Sequence, residues 1–277
     1  MRRPAPRLLY VTDLAYRAAG RRYADEDLEL SARLRAEFPL ALCDPRDAAG
    51  LLDGFDAVLV RNSGPVLHYR AAYAAFRAEA LRLGLPVHNP LSGRADMAGK
   101  GYLLELTRAG LPVIPSYAGD TPLAELPVCE AYIVKPVDGA DSVGLARLDA
   151  VALAARTPDA RTLVQPYVPF RHEVSFTFLD GEFRYALYAP DPERRWELVP
   201  YRPSAADLAF ARRFVEWNDL PYGIQRVDAC RTREGELLLV ELEDHNPYLS
   251  LGLLDGRTRA TFERALVASL RGAAARG

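Results

Sequence analysis

The stretch LLLVELEDHNPYLSL, residues 237–251, joins the pattern of a buried strand to a set of carboxylates. Glu241, Glu243 and Asp244 follow a run of apolar residues and precede a polar turn that contains Asn246. An unpaired carboxylate is costly to bury, so such groups are normally ion-paired, bound to a metal ion or held in the neutral form. We therefore expect these acids to serve a purpose other than packing.

A hairpin predicted around this strand brings a third carboxylate to the same place. Successive side chains of a strand alternate between its two faces, so Glu241 and Glu243 point to one side. Asp244 then points to the other side, or away at the strand end. A two-residue turn at Glu234-Gly235 places Asp228 directly opposite Glu241, although a shift of one residue would turn Asp228 to the other face.

Three carboxylates on one face of a sheet require a partner of opposite charge, because like charges that face each other across strands are destabilising. Oxygen-only ligands suit a hard ion, Mg²⁺ or Mn²⁺, which is usually shared with phosphate oxygens. Asp228, Glu241 and Glu243 are therefore the predicted metal ligands, with Asn246 as a further contributor. The alternative is a solvated strand edge whose acids pair with arginines such as Arg226.

The composition of the chain argues against several classes of protein. A length of 277 residues suits one large domain or a few closely packed ones. The net charge of −2 gives no electrostatic case for binding nucleic acid or an anionic membrane. No apolar run approaches the roughly 20 residues that span a bilayer. The three cysteines are widely spaced and match neither a disulfide framework nor a zinc motif, so a reducing cytoplasm is the expected location.

Lysine is rare in this chain, and both lysines lie in suggestive places. Of 35 basic side chains, only Lys100 and Lys135 are lysines. Lys100 is predicted early in a helix over residues 96–110, where the helix dipole adds to its own charge for an anion. Lys135 lies late in an apolar strand, residues 131–137, and is costly there unless its ammonium group meets an anion or reaches solvent.

A loop of small residues follows the second lysine. The sequence DGADSVGL, residues 138–145, contains Gly139 and Gly144, which allow backbone N–H groups to approach a phosphate. The segment around Lys100 is not a P-loop, because its glycine spacing is one residue too long and Gly101 stands where the motif has Ser or Thr. Taken alone, such a loop is more often a simple turn, and such a lysine is more often a surface residue without a function.

The order of predicted elements indicates a mixed α/β protein. Strands at 8–13, 55–62 and 85–90 alternate with helices at 25–38 and 69–84, a pattern typical of a parallel α/β layer. Later elements are further strands, hairpins and helices. They comprise strands at 113–118, 131–137 and 161–168, a hairpin at 172–189 turning at Asp180-Gly181, a capped helix at 204–220, the acidic hairpin and a helix near 257–272.

Taken in order, these elements resemble the ATP-grasp superfamily over residues 89–251. The segments that carry the resemblance are VHNP, VQPYV, HEVSFTFLDGEF, QRVD and ELEDHNPYLSL. They are most similar to the glutathione-synthetase-like branch, in the group of the cycloserine-pathway O-ureido-serine cyclo-ligase. The resemblance implies an α/β (α+β) ATP-grasp fold preceded by a parallel α/β domain. Its implied limits are an N-terminal domain at 1–90, a central lid subdomain at 91–165 and a C-terminal subdomain with the metal site at 166–277.

The resemblance also implies a role for each matching residue. Arg226 would face the transferred phosphoryl group, and the three acids would hold Mg²⁺. The implied nucleotide contacts fall into four groups: the phosphate ligands Lys100 and Lys135; the lid residues Asp138, Gly139, Ser142, Val143 and Gly144; the adenine hinge at Gln165 and Val168; and the ribose ligand Glu173.

The activity implied is that of an ATP- and Mg²⁺-dependent carboxylate–amine ligase that forms an acyl phosphate on a small amino-acid-like substrate, in a homodimer. A non-catalytic ATP-binding module and a small-molecule kinase remain alternatives. One departure from the family is the absence of a lysine after the strand at 182–189, where Arg184, Arg194 or Arg195 is the candidate substitute. Substrate selectivity is expected from the loop at 61–63, the segment 184–200 and the turn at 245–250.

Overall fold

The computed structural model describes residues 5–18, 21–140, 142–157, 159–194 and 196–276. The strands, in chain order, are β1 (Leu8–Val11), β2 (Arg17–Ala18), β3 (Arg21–Arg22), β4 (Leu40–Cys43), β5 (Ala57–Val60), β6 (Val87–His88), β7 (Tyr117–Ala118), β8 (Tyr132–Pro136), β9 (Ala146–Leu148), β10 (Thr162–Pro166), β11 (Phe170–Leu179), β12 (Glu182–Ala189), β13 (Val199–Tyr201), β14 (Ile224–Thr232) and β15 (Leu237–Glu243). The α-helices are α1 (Ala24–Leu34), α2 (Arg70–Leu83), α3 (Tyr102–Arg108), α4 (Ala150–Ala154), α5 (Ala205–Asn218) and α6 (Gly256–Ala274).

The first sheet is parallel, as the alternation of strands and helices predicts. Its order is β4-β1-β5-β6, and every neighbouring pair in it is parallel. Helix α2 contributes Phe76 and Ala80 to the core on one face, whereas α1 and α6 contribute to the core on the other. The edge strand β4 was not predicted from the sequence. Its four residues are all apolar and all only half-buried, so they show no alternation of apolar and polar side chains.

The second and third sheets are antiparallel. The second has the order β7-β10-β8-β9, and the third has the order β13-β12-β11-β14-β15. The predicted hairpin turn lies at Asp180 and Gly181, which have φ angles of 56° and 75°. The predicted capping box is present at the start of α5, where Ser204 accepts from the backbone of Asp207 and Asp207 accepts from the backbone of Ser204.

The third sheet separates two apolar cores. On one face, side chains of β11, β14 and β15 pack against α3 and α5. On the other face, one end of the sheet packs against the N-terminal sheet and α6 through residues such as Leu179 and Ile224. The remainder of that second face borders a cleft. The mixed α/β architecture is confirmed, while the predicted domain limits stay a prediction.

The predicted helix at 96–110 is wrong in its first half. Residues Asp96–Ala98 form a short 3-10 turn, Gly99 has a φ of 89°, and α3 begins only at Tyr102. The N–H of Lys100 donates to the carbonyl of Val137 at 2.7 Å, a contact with the second sheet that takes this segment out of the helix. Lys100 therefore precedes the helix, and the helix-dipole argument for its position fails.

Within the described residues, no helix has both the length and the apolar character needed to cross a bilayer.

Candidate active site

A β-bulge at Val240 orients the acids of β15. Close to the hairpin turn Leu239 pairs with Ala229, whereas Glu241 pairs with Asp228, so Val240 is an extra residue between them. A bulge of this kind shifts the alternation of side chains by one residue. Leu239 and Leu242 consequently share the core face although three positions separate them in sequence.

The predicted pairing of Asp228 with Glu241 is observed, although the predicted turn is not. The chain turns through three residues, Arg233 to Gly235, because the N–H of Thr232 donates to the carbonyl of Glu236. This turn alone would misalign the acids by one residue relative to the prediction. The bulge at Val240 restores their pairing. Two local errors in the predicted hairpin therefore cancel.

The acids and several other polar side chains line one cleft beside the third sheet. Strands β11, β14 and β15 supply them from the same face, opposite the core that packs on α5. The cleft is lined on this side by Glu173, Ser175, Arg226, Asp228, Glu241 and Glu243.

Arg226 holds two of the three predicted metal ligands. Its Nη2 lies 2.8 Å from Oδ2 of Asp228 and 2.6 Å from Oε1 of Glu243, and its Nη1 donates to the carbonyl of Tyr248 at 2.6 Å. Burial raises the pKa of the Glu243 carboxyl, and the Arg226 guanidinium opposes that effect. The arginine partner named in the alternative reading of the sequence is therefore present.

Lys100 holds the third acid. Its ammonium group, only 4% exposed, lies 3.0 Å from Oδ2 of Asp96 and forms a close ion pair with Glu241. Asp96 also lines the cleft and was missed in the sequence. Its position four residues before Lys100 was the available signal, because such a spacing often pairs opposite charges.

The arrangement fits a hard divalent cation, although the acids are not drawn together around one point. Among the described residues, no three His, Cys, Asp or Glu side chains converge closely enough to hold a metal ion. The donors are nevertheless carboxylate oxygens on one face, and each of the three acids already contacts a cationic side chain. A cation could replace those contacts, so Asp228, Glu241 and Glu243 stay the predicted Mg²⁺ ligands.

The predicted lid loop borders the same cleft and an adjoining one. Ser142, with a φ of 60°, lines the first cleft, whereas Asp138 and Gly139 line the adjoining cleft together with Lys100. Asp138 also forms ion pairs with Arg70 and with Arg161, and the hydrogen bond from Arg70 holds the pKa of its carboxyl below the usual range. Asp138 thus fastens the loop to helix α2.

The remainder of the loop turns back on the second sheet. Val143 donates its N–H to the carbonyl of Ala140 at 2.9 Å. Gly144 has a φ of 76°, and a side chain there would collide with Pro136. Asp141, within the same loop, lies outside the described residues. The predicted roles of Val143 and Gly144 in binding phosphate remain predictions.

The other predicted nucleotide contacts lie along β8, β10 and β11. Lys135 is 8% exposed and pairs with Leu163 across the second sheet. Gln165 is buried in β10 and donates to Oγ of Ser116 at 2.8 Å. Val168 follows β10 in the connection to β11. Only Glu173 of the predicted adenosine ligands lines the cleft.

Another part of the cleft wall is neutral and aromatic. It contains Tyr16, Tyr23, Asn62, Trp196 and Tyr248, of which Tyr23 and Tyr248 contact edge to face at 4.7 Å. Asn62, Trp196 and Tyr248 lie in the three segments from which selectivity was expected, whereas Tyr16 and Tyr23 were missed. The residues of this wall come from separate parts of the sequence, and no local pattern links them.

A buried arginine joins this wall to the acidic strand. Arg61 is 1% exposed, and its Nη2 donates to the carbonyl of Pro247 at 2.7 Å. Glu26 lies 3.7 Å from Arg61 and accepts the N–H groups of Leu249 and Leu251 at 3.0 and 2.8 Å. The turn at 245–250 is therefore held by side chains of the N-terminal part of the chain.

Two of the three candidate substitutes for the missing lysine, Arg184 and Arg194, lie within the described residues, and neither lines the cleft. Arg184 donates to the carbonyl of Leu179 and pairs with Glu182. Arg194 is 61% exposed and pairs with Asp191 and Glu197. Arg195 lies outside the described residues. Tyr185 packs in the core that the third sheet shares with α6, and its hydroxyl donates to the carbonyl of Leu249 at 2.7 Å.

Comparison with known proteins finds similarity to proteins named for cycloserine biosynthesis. The cycloserine biosynthesis protein DcsG of Streptomyces lavendulae is 29% identical, over 83% of this chain and 88% of its own length. The crystal structure of the D-cycloserine synthetase DcsG superposes with a TM-score of 0.72 at 24% identity, over 95% of this chain and 99% of that one. No protein-family model matches the chain.

Two further solved structures share the fold at lower identity. D-alanine–D-alanine ligase from Bacillus anthracis, complexed with ATP, has a TM-score of 0.67 at 14% identity, with 98% of each chain covered. The ATP-grasp ligase PsnB, complexed with Mg and ADP, has a TM-score of 0.63 at 19% identity, over 98% of this chain and 99% of that one. The predicted ATP-grasp fold is confirmed.

Proposed function

We propose that this protein is an ATP- and Mg²⁺-dependent ligase that joins a carboxylate to an amine, or to a similar nucleophile, through an acyl phosphate. One observation carries the proposal. Asp228, Glu241 and Glu243 meet Arg226 and Lys100 on one face of the cleft, next to a loop of small residues. The ATP-grasp fold of the chain, shared with D-alanine–D-alanine ligase and PsnB, supports the same activity.

The chemistry proceeds in two transfers. A carboxylate oxygen of the substrate attacks the terminal phosphorus of ATP, and the bond to the leaving ADP breaks. The nucleophile then attacks the acyl carbon, loses a proton and expels inorganic phosphate. The protein contributes mainly by positioning the reactants and by stabilising the charge on the phosphoryl oxygens.

The described residues divide these tasks between them. Asp228, Glu241 and Glu243 would hold Mg²⁺, which neutralises charge on the phosphate oxygens. Arg226 is anchored by the carbonyl of Tyr248 and by two acids, so its guanidinium is fixed where the transferred group would lie. Lys100 would turn from Glu241 towards a phosphate once a cation takes its place.

The lid and hinge residues complete the proposed nucleotide site. Lys135 would approach the phosphates from the second sheet, and the loop at 138–144 would cover them and exclude water. Gln165 and Val168 would border the adenine, and Glu173 would accept the ribose hydroxyls. Of these residues, Glu173 and Ser142 have the most direct support, because both line the cleft with the acids.

The substrate is proposed to be small and amino-acid-like. Relatives named for D-cycloserine and D-alanine chemistry support this class. The space for it lies between the acids and the neutral wall that contains Asn62 and Tyr248. The chain is also proposed to act in the cytoplasm as a homodimer, and light scattering of the purified protein would test the dimer.

The experiment measures ADP release in Mg²⁺ with a panel of small carboxylates and amino acids. We expect release that depends on both substrates and is lost in Lys135→Ala and Glu241→Gln. Glu236→Gln is a matched control, because Glu236 is exposed and directly follows the turn of the same hairpin. The proposal is wrong if the wild-type protein binds no ATP analogue in Mg²⁺, or if both variants keep full turnover.

A non-catalytic nucleotide-binding module is the second candidate. The observation in its favour is that Arg184 and Arg194, the described candidates for the missing lysine, pair elsewhere. Such a module would bind the ATP analogue but release no ADP with any substrate pair. A kinase would release ADP and leave a phosphoester, which mass spectrometry of the product distinguishes from an amide. Replacing Mg²⁺ by Mn²⁺ in the same assay tests the choice of ion.

A further inference from the structure

Asp244 follows Glu243 directly in the chain but points away from the cleft. It is fully buried, with an exposure of 0%. Its Oδ1 accepts the N–H of Met97 at 2.6 Å, and its Oδ2 accepts the N–H of Ala95 at 3.2 Å. Since charge-assisted hydrogen bonds to backbone N–H groups are strong, this carboxylate holds the segment that contains Ala95 and Met97.

Asn218, the last residue of α5, completes this hold. Its Nδ2 donates to Oδ2 of Asp244 at 3.0 Å and to Oε1 of Gln225 at 2.8 Å. Its Oδ1 accepts the N–H of Arg94 at 2.8 Å. Two buried side chains therefore bind three backbone N–H groups within four consecutive residues, 94–97.

Gly93 shows how closely the backbone approaches the carboxylate. A side chain at this position would collide with Oδ2 of Asp244 and would come within 3.0 Å of Cβ of Met97. The backbone of Gly93 does not have a positive φ. The space, and not the backbone conformation, is what requires glycine here.

The segment held in this way carries two charged residues into the cleft. Asp96 lies between the two N–H groups that Asp244 binds, and Lys100 follows four residues later. Lys100 pairs with Glu241, which lies on the opposite face of the chain from Asp244. The end of β15 thus reaches the cleft directly through Glu241 and Glu243, and indirectly through Asp244.

We propose that Asp244 is a positioning residue that fixes the turn at residues 93–98 and thereby sets Lys100 and Asp96 against the acids of β15. The role rests on the proposed function, because it concerns how Lys100 meets the nucleotide. Asp244 itself touches neither the substrate nor the nucleotide. Without it, Lys100 would still be present but no longer aligned.

The first test is Asp244→Asn, which keeps the size of the side chain but places an amide against backbone N–H groups. We expect faster amide hydrogen exchange in residues 93–100 without any ligand. We also expect affinity for a non-hydrolysable ATP analogue in Mg²⁺ to fall roughly tenfold, the scale seen when a supporting contact of a site is lost. Gly93→Ala, which disturbs the same turn without changing a charge, should give the same two results.

The second test asks whether the effect passes through Lys100. In a Lys100→Met background, Asp244→Asn should lower the affinity for the ATP analogue by no more than about twofold. The effects of two substitutions do not add when one residue acts through the other. Asp207→Asn removes another buried carboxylate, which accepts from Ser204, Tyr201 and Arg231 far from this turn. This control should lower the melting temperature without changing exchange in residues 93–100 or the affinity.

Two results would overturn the proposal: unchanged exchange of residues 93–100 in Asp244→Asn, or an equal loss of affinity with and without Lys100. A wild-type protein that binds no nucleotide would instead refute the proposed function. The exchange measurement needs no nucleotide, so it decides separately whether Asp244 holds the turn.

Discussion

The acidic face of the third sheet and the lid loop border the same cleft but are held in different ways. At the acidic face, the side chains of Arg226 and Lys100 are mostly buried. They contact the acids that are predicted to bind the metal. On the lid, Asp138 is fastened by Arg70 and Arg161, whose side chains are 50% and 67% exposed. One set of charges lies inside the site and the other lies on its rim.

The difference in burial between the two sets of ion pairs suits the acidic face to a fixed geometry and the lid to movement. Buried ion pairs are costly to break from one side, so the acidic face keeps its geometry before any ligand arrives. Exposed ion pairs contribute little, so the lid can open and close at small cost. We therefore expect variants on the sheet to change chemistry and stability, and variants on the lid to change mainly the exchange of nucleotide.

The largest effect is expected for Glu243→Gln. Loss of one predicted metal ligand should reduce ADP release at least roughly a hundredfold, the scale for removing one stabilising group from an active site. Asp138→Asn on the lid should reduce it only a few-fold. Steady-state ADP release at saturating Mg²⁺ checks both. Equal losses in the two variants would contradict the division between sheet and lid.

A second effect is expected on stability. Arg226→Met leaves Asp228 and Glu243 without their shared cation, so the free energy of unfolding should fall by about 3 kcal/mol. Saturating Mg²⁺ should recover part of this loss, because the ion neutralises the same acids. Urea unfolding with and without Mg²⁺ measures both values. A loss that is the same under both conditions would mean that these acids do not bind the ion.

A smaller effect is expected for Arg70→Ala. Release of the lid from α2 should raise the dissociation rate of a fluorescent ATP analogue a few-fold and leave the melting temperature unchanged, since an exposed pair contributes little. Arg82→Ala is the matched control, because Arg82 forms a similar exposed ion pair with Glu79 on the same helix. If the dissociation rate changed as much in Arg82→Ala as in Arg70→Ala, the effect would not be due to release of the lid.

The smallest effect concerns pH. The hydrogen bond from Arg70 lowers the pKa of Asp138 below its value in the unfolded chain. A carboxyl with a lowered pKa contributes stability above its unfolded pKa and loses it as the pH falls through the folded one. The lid contact should therefore be constant from pH 8 down to pH 5. The ratio of dissociation rates for Arg70→Ala and wild type, measured across that range, should not change.

The third sheet shows how far sequence patterns reach. The pairing of Asp228 with Glu241 was predicted correctly, but only because two local errors cancel: the turn is one residue longer than expected, and a bulge restores the register. The turn and the bulge at Val240 were not predicted, since a bulge depends on which side chains the core can accept. Leu239 and Leu242 both reach the core only because of it.

The lysines and the lid show where sequence patterns stop. A helix over 96–110 satisfied the local pattern, but the contact of Lys100 with Val137 and the hold of Asp244 on Met97 override it. The ion pair of Asp138 with Arg70, which lies 68 residues earlier in the chain, was not predicted. Such long-range pairs leave no trace in local spacing.

The buried Arg61 has a consequence for recombining this protein with its relatives. Arg61 and Glu26 belong to the N-terminal part of the chain, but their partners Pro247, Leu249 and Leu251 lie at the other end. A chimera that exchanged only the first 90 residues would separate donors from acceptors that fit each other. The segment that must be exchanged as a unit is therefore discontinuous in sequence. A chimera that is to remain functional must exchange residues 245–251 together with the N-terminal sheet.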